Sequence, residues 1–116
     1  MGHKIVKAKI AGKGEREVDL LIDTGSTYTW IDKAILQAIG VERKAKHKFK
    51  TIEGKIVERD IGEAKIKVEN KETSTITVFA EPEDAKVLGV YALEGLMLEF
   101  DPASGKLKPS EIALAV

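Results

Sequence analysis

Residues 18–31 read VDLLIDTGSTYTWI: a strand-like apolar run is interrupted by Asp23-Thr24-Gly25 and resumes at Tyr28, Trp30 and Ile31. The interruption could be a plain turn, because Asp bonds its own backbone and Gly supplies unusual dihedrals. The immediate return of apolar residues supports a second reading, in which the Asp23 carboxylate sits inside a largely buried hairpin. A buried carboxylate requires partners or a purpose.

On the N-terminal side, residues 16–22 read as a strand with Val18, Leu20 and Ile22 on one face and Leu21 on the other. Apolar residues on both faces near its end place it centrally in a sheet. Residues 4–10 alternate Val6, Ala8 and Ile10 with Lys7 and Lys9, the period of a half-buried strand. The turn between them, AGKGE at 11–15, lacks the GKS or GKT ending of a phosphate-binding loop and opens no helix.

On the C-terminal side the period changes at Asp32. Ala34, Ile35, Ala38 and Ile39 recur at helical spacing, with Asp32 as N-cap and Gly40 at the C-terminal end, which predicts a short helix. The basic run ERKAKHKFK at 42–50 carries a single aromatic, Phe49, and reads as a solvated strand or loop, with His47 on the surface. TIEGKIV at 51–57 predicts a projecting hairpin with its tip at 53–55. Ala64, Ile66 and Val68, then Ile76, Val78 and Ala80, mark two antiparallel strands around a turn at 70–73. EPED at 81–84 breaks the pattern, and an apolar run follows at 87–90. Residues 91–98 predict a second short helix with Leu93, Leu96 and Met97 on one face. Residues 98–100, the turn DPASG at 101–105 and the apolar segment 112–116 complete an all-β chain with one or two short helices. Asp60, Asp84 and Asp101 flank turns and are expected to cap or solvate them.

With 116 residues, 43% hydrophobic and 33% charged, the chain fits a single domain spanning 1–116. Lys+Arg and Asp+Glu balance at 19 each, so no overall field recommends nucleic acid or an anionic membrane as a partner. Cysteine is absent, which removes disulfide and thiol chemistry, and no apolar segment is long enough for a signal peptide or membrane span. The expectation is a soluble cytoplasmic protein. Lys and Glu dominate the charges while the amides are limited to Gln37 and Asn70, a bias found in heat-adapted proteins. With only His3 and His47, and no pair at zinc-binding spacing, no metal is expected.

One carboxylate without His, Cys or Lys beside it is a poor catalyst. Two carboxyls about 3 Å apart cannot both ionise, so one acts as acid and the other as base on a water held between them. The chain holds one Asp-Thr-Gly, so a second Asp23 would have to come from a second copy across a two-fold axis.

Asp23-Thr24-Gly25-Ser26 after an apolar strand, a hairpin some thirty residues later, and VLGVYALEGLMLEFDPASGKL at 87–107 together form an ordered set. Over about residues 5–107 it resembles the retropepsin-like, or retroviral-type, aspartic proteases, in particular the small microbial single-domain members. The resemblance implies a closed β-barrel-like fold, a two-fold symmetric homodimer, a peptide or protein substrate and no cofactor. It implies that Asp23 is the catalytic acid-base residue and that Thr24 braces the dyad across the dimer axis. Gly25 would let the substrate backbone approach, and Ser26 would donate to the ionised carboxylate. Ile52, Glu53, Gly54 and Lys55 would form the flap over the substrate, with Gly54 its only glycine. Val87, Leu88 and Gly89 would pack behind the catalytic loop, with Leu88 or Val87 near a side-chain pocket. Trp30 is a core residue by type, and the resemblance also implies that a strand residue five positions beyond Gly25, with Tyr28 beside it, lines the cleft wall.

Two positions depart from the family pattern. The Arg that many members place after the second-motif glycine is Val90 here, and the acid two residues after the catalytic Gly is Thr27. Both charges are lost together, which implies that packing of Trp30 or Tyr28 replaces their ion pair. A non-catalytic dimerisation or peptide-binding module on the same fold is the competing reading, and the intact Asp-Thr-Gly-Ser favours the enzyme. Nucleic-acid binding through 43–50 is a third, which steep salt dependence would reveal.

Overall fold

A computed structural model describes residues 4–111. The chain runs β1 (Ile5–Ala11), β2 (Glu15–Ile22), β3 (Thr29–Asp32), α1 (Lys33–Ala38), β4 (Ala45–Lys50), β5 (Ile56–Val68), β6 (Lys71–Ala80), β7 (Val87–Leu88), α2 (Val90–Leu96), β8 (Leu98–Asp101) and β9 (Lys106–Pro109). It is mostly β, as its alternating sequence predicts. The apolar segment 112–116 and His3 lie outside the described residues.

Strand order in the main sheet is β1-β2-β7-β3-β6-β5-β4, and β1 also pairs with β5. The pairings therefore run in a ring from β1 through β2, β7, β3, β6 and β5 back to β1, with β4 attached outside β5. At the closing seam Lys9, Ile10 and Ala11 face Lys67, Ile66 and Lys65. In the core Ile10, Leu20, Ile31, Leu36, Ile66, Phe79 and Leu88 have at most 1% of their surface exposed. Each such burial contributes roughly 1.5–3 kcal/mol before the entropy of ordering the side chain is counted. β8 and β9 form a separate two-stranded sheet.

The local expectations hold for β1, β2, β7 and both helices as elements, but several faces differ. Leu36 of α1 and Ile39 just beyond its end are buried while Ala34 and Ala38 are exposed, which rotates the predicted apolar face by about one residue. Asp32 caps the helix by accepting from the Ala34 N–H at 2.8 Å. In α2 Ala92, Leu93 and Leu96 are buried, and Met97 is 66% exposed because it closes the helix in a left-handed conformation. β5 is one strand of 13 residues, not a hairpin arm and a separate strand. The β5–β6 turn is Glu69-Asn70, both at positive φ, so β6 starts at Lys71, earlier than expected. Within β6, Val78 and Ala80 are fully buried as expected, but Ile76 is only half-buried, and Thr75, Thr77 and Phe79 on the other face are buried too.

Candidate active site

β2 and β3 are consecutive strands, yet they are not neighbours. β7 lies between them, parallel to β2 with Ile22 opposite Leu88, and antiparallel to β3 with Trp30 opposite Val87. The segment 23–28 must therefore cross over the end of β7, which is why turn-forming Asp-Thr-Gly follows an unbroken apolar strand. Residues at the exit of β7 bind this crossing loop. The Asp23 N–H donates to the Leu88 carbonyl at 3.0 Å, Val90 N–H to the Ser26 carbonyl at 2.8 Å, and Tyr91 N–H to the Thr27 carbonyl at 3.0 Å. Gly89 lies under the crossing: a Cβ there would stand 2.4 Å from the Tyr28 oxygen and 2.9 Å from that of Ser26. Its N–H donates to the buried Thr29 hydroxyl at 3.1 Å. Val87, Leu88 and Gly89 thus lie against the crossing loop. Val87 and Leu88 are both buried, so neither opens onto a pocket in the single chain.

Asp23 itself departs from expectation. Its side chain is exposed, as are Thr24 and Gly25, because the crossing loop sits at the rim of the ring, where none of the described residues covers it. The carboxylate is still oriented, since Oδ1 accepts from the Gly25 N–H at 2.9 Å. The Ser26 hydroxyl does not reach it; it donates to the Tyr28 carbonyl at 2.8 Å and braces the crossing loop instead. Thr29, fully buried and bonded to Gly89, is a supporting residue that sequence reasoning misses. A threonine among apolar neighbours on a short strand is its only signal.

The predicted hairpin is formed by β4 and β5, with Lys50 opposite Ile56. Its tip holds Ile52, Glu53, Gly54 and Lys55 exposed, and Gly54 turns the chain at φ +88° with the Gly54 N–H on the Thr51 carbonyl at 2.9 Å. β4 packs aromatic rings onto β3. Phe49 lies 5.0 Å from Trp30 and 6.2 Å from Tyr28, His47 lies 6.4 Å from Tyr28, and Tyr91 of α2 lies 6.1 Å from Tyr28, all edge to face. Such pairs contribute about 0.5–1.5 kcal/mol each beyond area burial. Tyr28 and Trp30 are half-buried members of this cluster. The Tyr28 and Tyr91 rings meet beside Thr27, whose carbonyl accepts from the Tyr91 N–H.

The acids of 81–84 and Asp60 are more than solvated edges. Arg59 grips Asp84 with both side chains 14% exposed, and its hydrogen bonds hold the Asp84 carboxyl below the usual range. Lys46 and then Arg43 do the same for Asp60. Two cations of the basic run are thereby committed within the chain. Asp101 does cap its turn, accepting from the Ala103 N–H and the Ser104 hydroxyl, which lower its pKa. Among the described residues no three His, Cys, Asp or Glu side chains gather to hold a metal ion, and no helix is long and apolar enough to cross a membrane.

Residues 6–95 match the model of the family described as gag-polyprotein putative aspartyl protease. That span takes in the crossing loop, the hairpin and the Val87-Leu88-Gly89 brace. No curated protein matches the chain significantly.

Proposed function

Because the chain belongs to the gag-polyprotein aspartyl protease family, we propose that it is an aspartic endopeptidase whose active site takes one Asp23 from each of two copies. The observation that carries this reading is the state of Asp23: it is oriented by Gly25, braced from behind by β7, and exposed at the rim of the ring. A single carboxylate there is half of a two-carboxylate site, and a second copy related by a two-fold axis supplies the other half. The ring of pairings is read as the closed barrel of the retropepsins, and Thr24 as the residue that links the two loops at the axis.

In the reaction, the ionised Asp23 takes a proton from water held between the two carboxyls. The oxygen of that water bonds to the scissile carbonyl carbon, while the protonated Asp23 of the other copy donates to the carbonyl oxygen. The tetrahedral intermediate collapses as its C–N bond breaks, and the leaving nitrogen takes up a proton through the dyad. The flap, Ile52, Glu53, Gly54 and Lys55, closes over the peptide and excludes bulk water. Tyr28 and Trp30 form the cleft wall nearest the loop. No cofactor takes part.

The test is Asp23→Asn, which keeps the shape of the side chain and removes its proton transfer. Cleavage of a mixed peptide library, followed by mass spectrometry across pH, is expected from the wild type with a bell-shaped profile peaking on the acid side of neutrality. The Asp23→Asn variant should fold normally and cleave nothing. Equal cleavage by both proteins sinks the assignment.

A further inference from the structure

The β4–β5 hairpin projects beyond the rest of the sheet: β5 pairs with β6 only from Ile61 onward, while Ile56 to Ile61 pair with β4. A free two-stranded ribbon is marginal in water and needs side-chain anchors to hold a fixed pose. On β4 those anchors are Phe49 and His47, against Trp30 and Tyr28. On β5 the anchor is Arg59, directly opposite His47 in register and so on the same face. Arg59 Nε donates to Asp84 Oδ2 at 2.7 Å and Nη2 to Oδ1 at 3.0 Å. This planar fork fixes orientation as well as charge, which a lysine in its place does not.

Asp84 is fastened in turn. Its Oδ2 accepts from the Glu81 N–H at 2.8 Å, and the Lys86 ammonium donates to the carbonyls of Glu81, Pro82 and Asp84 at 3.0, 2.9 and 2.6 Å. The loop thus folded leads directly into β7. There the Leu21 N–H donates to the Lys86 carbonyl at 3.1 Å and the Asp23 N–H to the Leu88 carbonyl at 3.0 Å. A chain of hydrogen bonds and a short strand therefore connects the hairpin arm to the backbone of Asp23.

We propose that Arg59 is a positioning residue for peptide cleavage: its fork on Asp84 sets the pose of the hairpin arm relative to the Asp23 loop and keeps the flap tip in register with a bound peptide. This rests on the reading of the chain as a peptidase. Arg59 touches no reacting atom; it acts through the arm, so its loss should weaken capture of the peptide more than the chemical step.

The experiment compares Arg59→Met, Arg59→Lys and the double variant Arg59→Met with Asp84→Asn, which removes both charges and leaves none unpaired. Steady-state kcat and KM are measured on a cleaved peptide, and backbone hydrogen exchange is followed by mass spectrometry. Arg59→Met should raise KM about tenfold while kcat stays within about twofold, and Arg59→Lys should recover only part of the loss. Exchange over 45–61 should accelerate in Arg59→Met while β1 and β2 keep their protection. A folded variant with wild-type KM and wild-type hairpin exchange overturns the proposal, as does equal acceleration in every strand. If Arg59→Met fails to fold, the double variant carries the same expectations, and failure of both makes the pair a folding element and overturns the proposal. A wild-type chain that cleaves no peptide refutes the peptidase reading instead, and selective hairpin exchange in Arg59→Met then still supports Arg59 as the anchor of the arm.

Discussion

Thr75 and Thr77 stand two residues apart on β6, both buried, and their hydroxyls fare differently. Thr77 Oγ1 donates to the Gly62 carbonyl at 3.1 Å, whereas Thr75 Oγ1 has no hydrogen-bond partner among the described residues. Thr75→Val should therefore stabilise the fold, and Thr77→Val should destabilise it, each by about 1 kcal/mol, read as opposite shifts of the urea midpoint at unchanged slope. A midpoint that moves the same way in both variants contradicts this assignment. Sequence alone cannot separate the two, since both are threonines on one face of a strand. The same limit applies at the candidate site. Asp23, Thr24 and Gly25 are legible because a turn motif interrupts an apolar strand, but the Ser26 hydroxyl points where the crossing over β7 sends it. Thr29 meets Gly89 across 60 residues of sequence, a contact that no local pattern encodes.

Strands are easier to read than the faces of short helices. α1 has 6 residues and α2 has 7, too few for a helical period to set its phase, so Ala34 and Met97 are expected inward and stand outward. The hairpin is legible from Glu53-Gly54 between apolar arms. Its anchors are not, because Arg59 and Asp84 are two charges among many and become a pair only when β5 and the loop before β7 meet. That pair predicts an acid response. Arg59 depresses the Asp84 pKa, and Lys46 with Arg43 depresses that of Asp60. A carboxyl depressed in the folded state contributes stability that is present above its unfolded pKa and is lost as pH falls through its folded one. The Arg59–Asp84 anchor and the Asp60 ion pairs should thus persist through the mildly acid range in which a carboxyl dyad works, and fail only below the ordinary carboxylate range. Thermal denaturation against pH should show a steep loss there. It should be shallower in the double variant Arg59→Met with Asp84→Asn, and an unchanged acid limb in that variant would assign the loss to other carboxyls.

At the scale of the whole molecule, the ring of pairings and the two helices packed on it bury one core, but Asp23 stays exposed and each chain holds one Asp-Thr-Gly. Exposed Ile5 at the start of β1 and Ile52 at the flap tip, 59% and 103% exposed, are apolar surface that a second copy could cover. The segment 112–116, Ile-Ala-Leu-Ala-Val, lies outside the described residues, and its composition is that of a strand unsuited to a solvent-exposed edge. The expectation is that it joins two copies by pairing with its own symmetry mate or with β1. Activity then depends on protein concentration, because only the associated form holds two Asp23 carboxyls. Specific activity should fall on dilution along the same curve as the dimer fraction measured by sedimentation. Removal of 112–116 should move both curves together to higher concentration while leaving the circular dichroism of the ring unchanged. A monomer that retains full specific activity at nanomolar concentration would refute the shared site. A truncated chain that associates as the full chain does would leave the shared site standing and place its interface elsewhere on the ring.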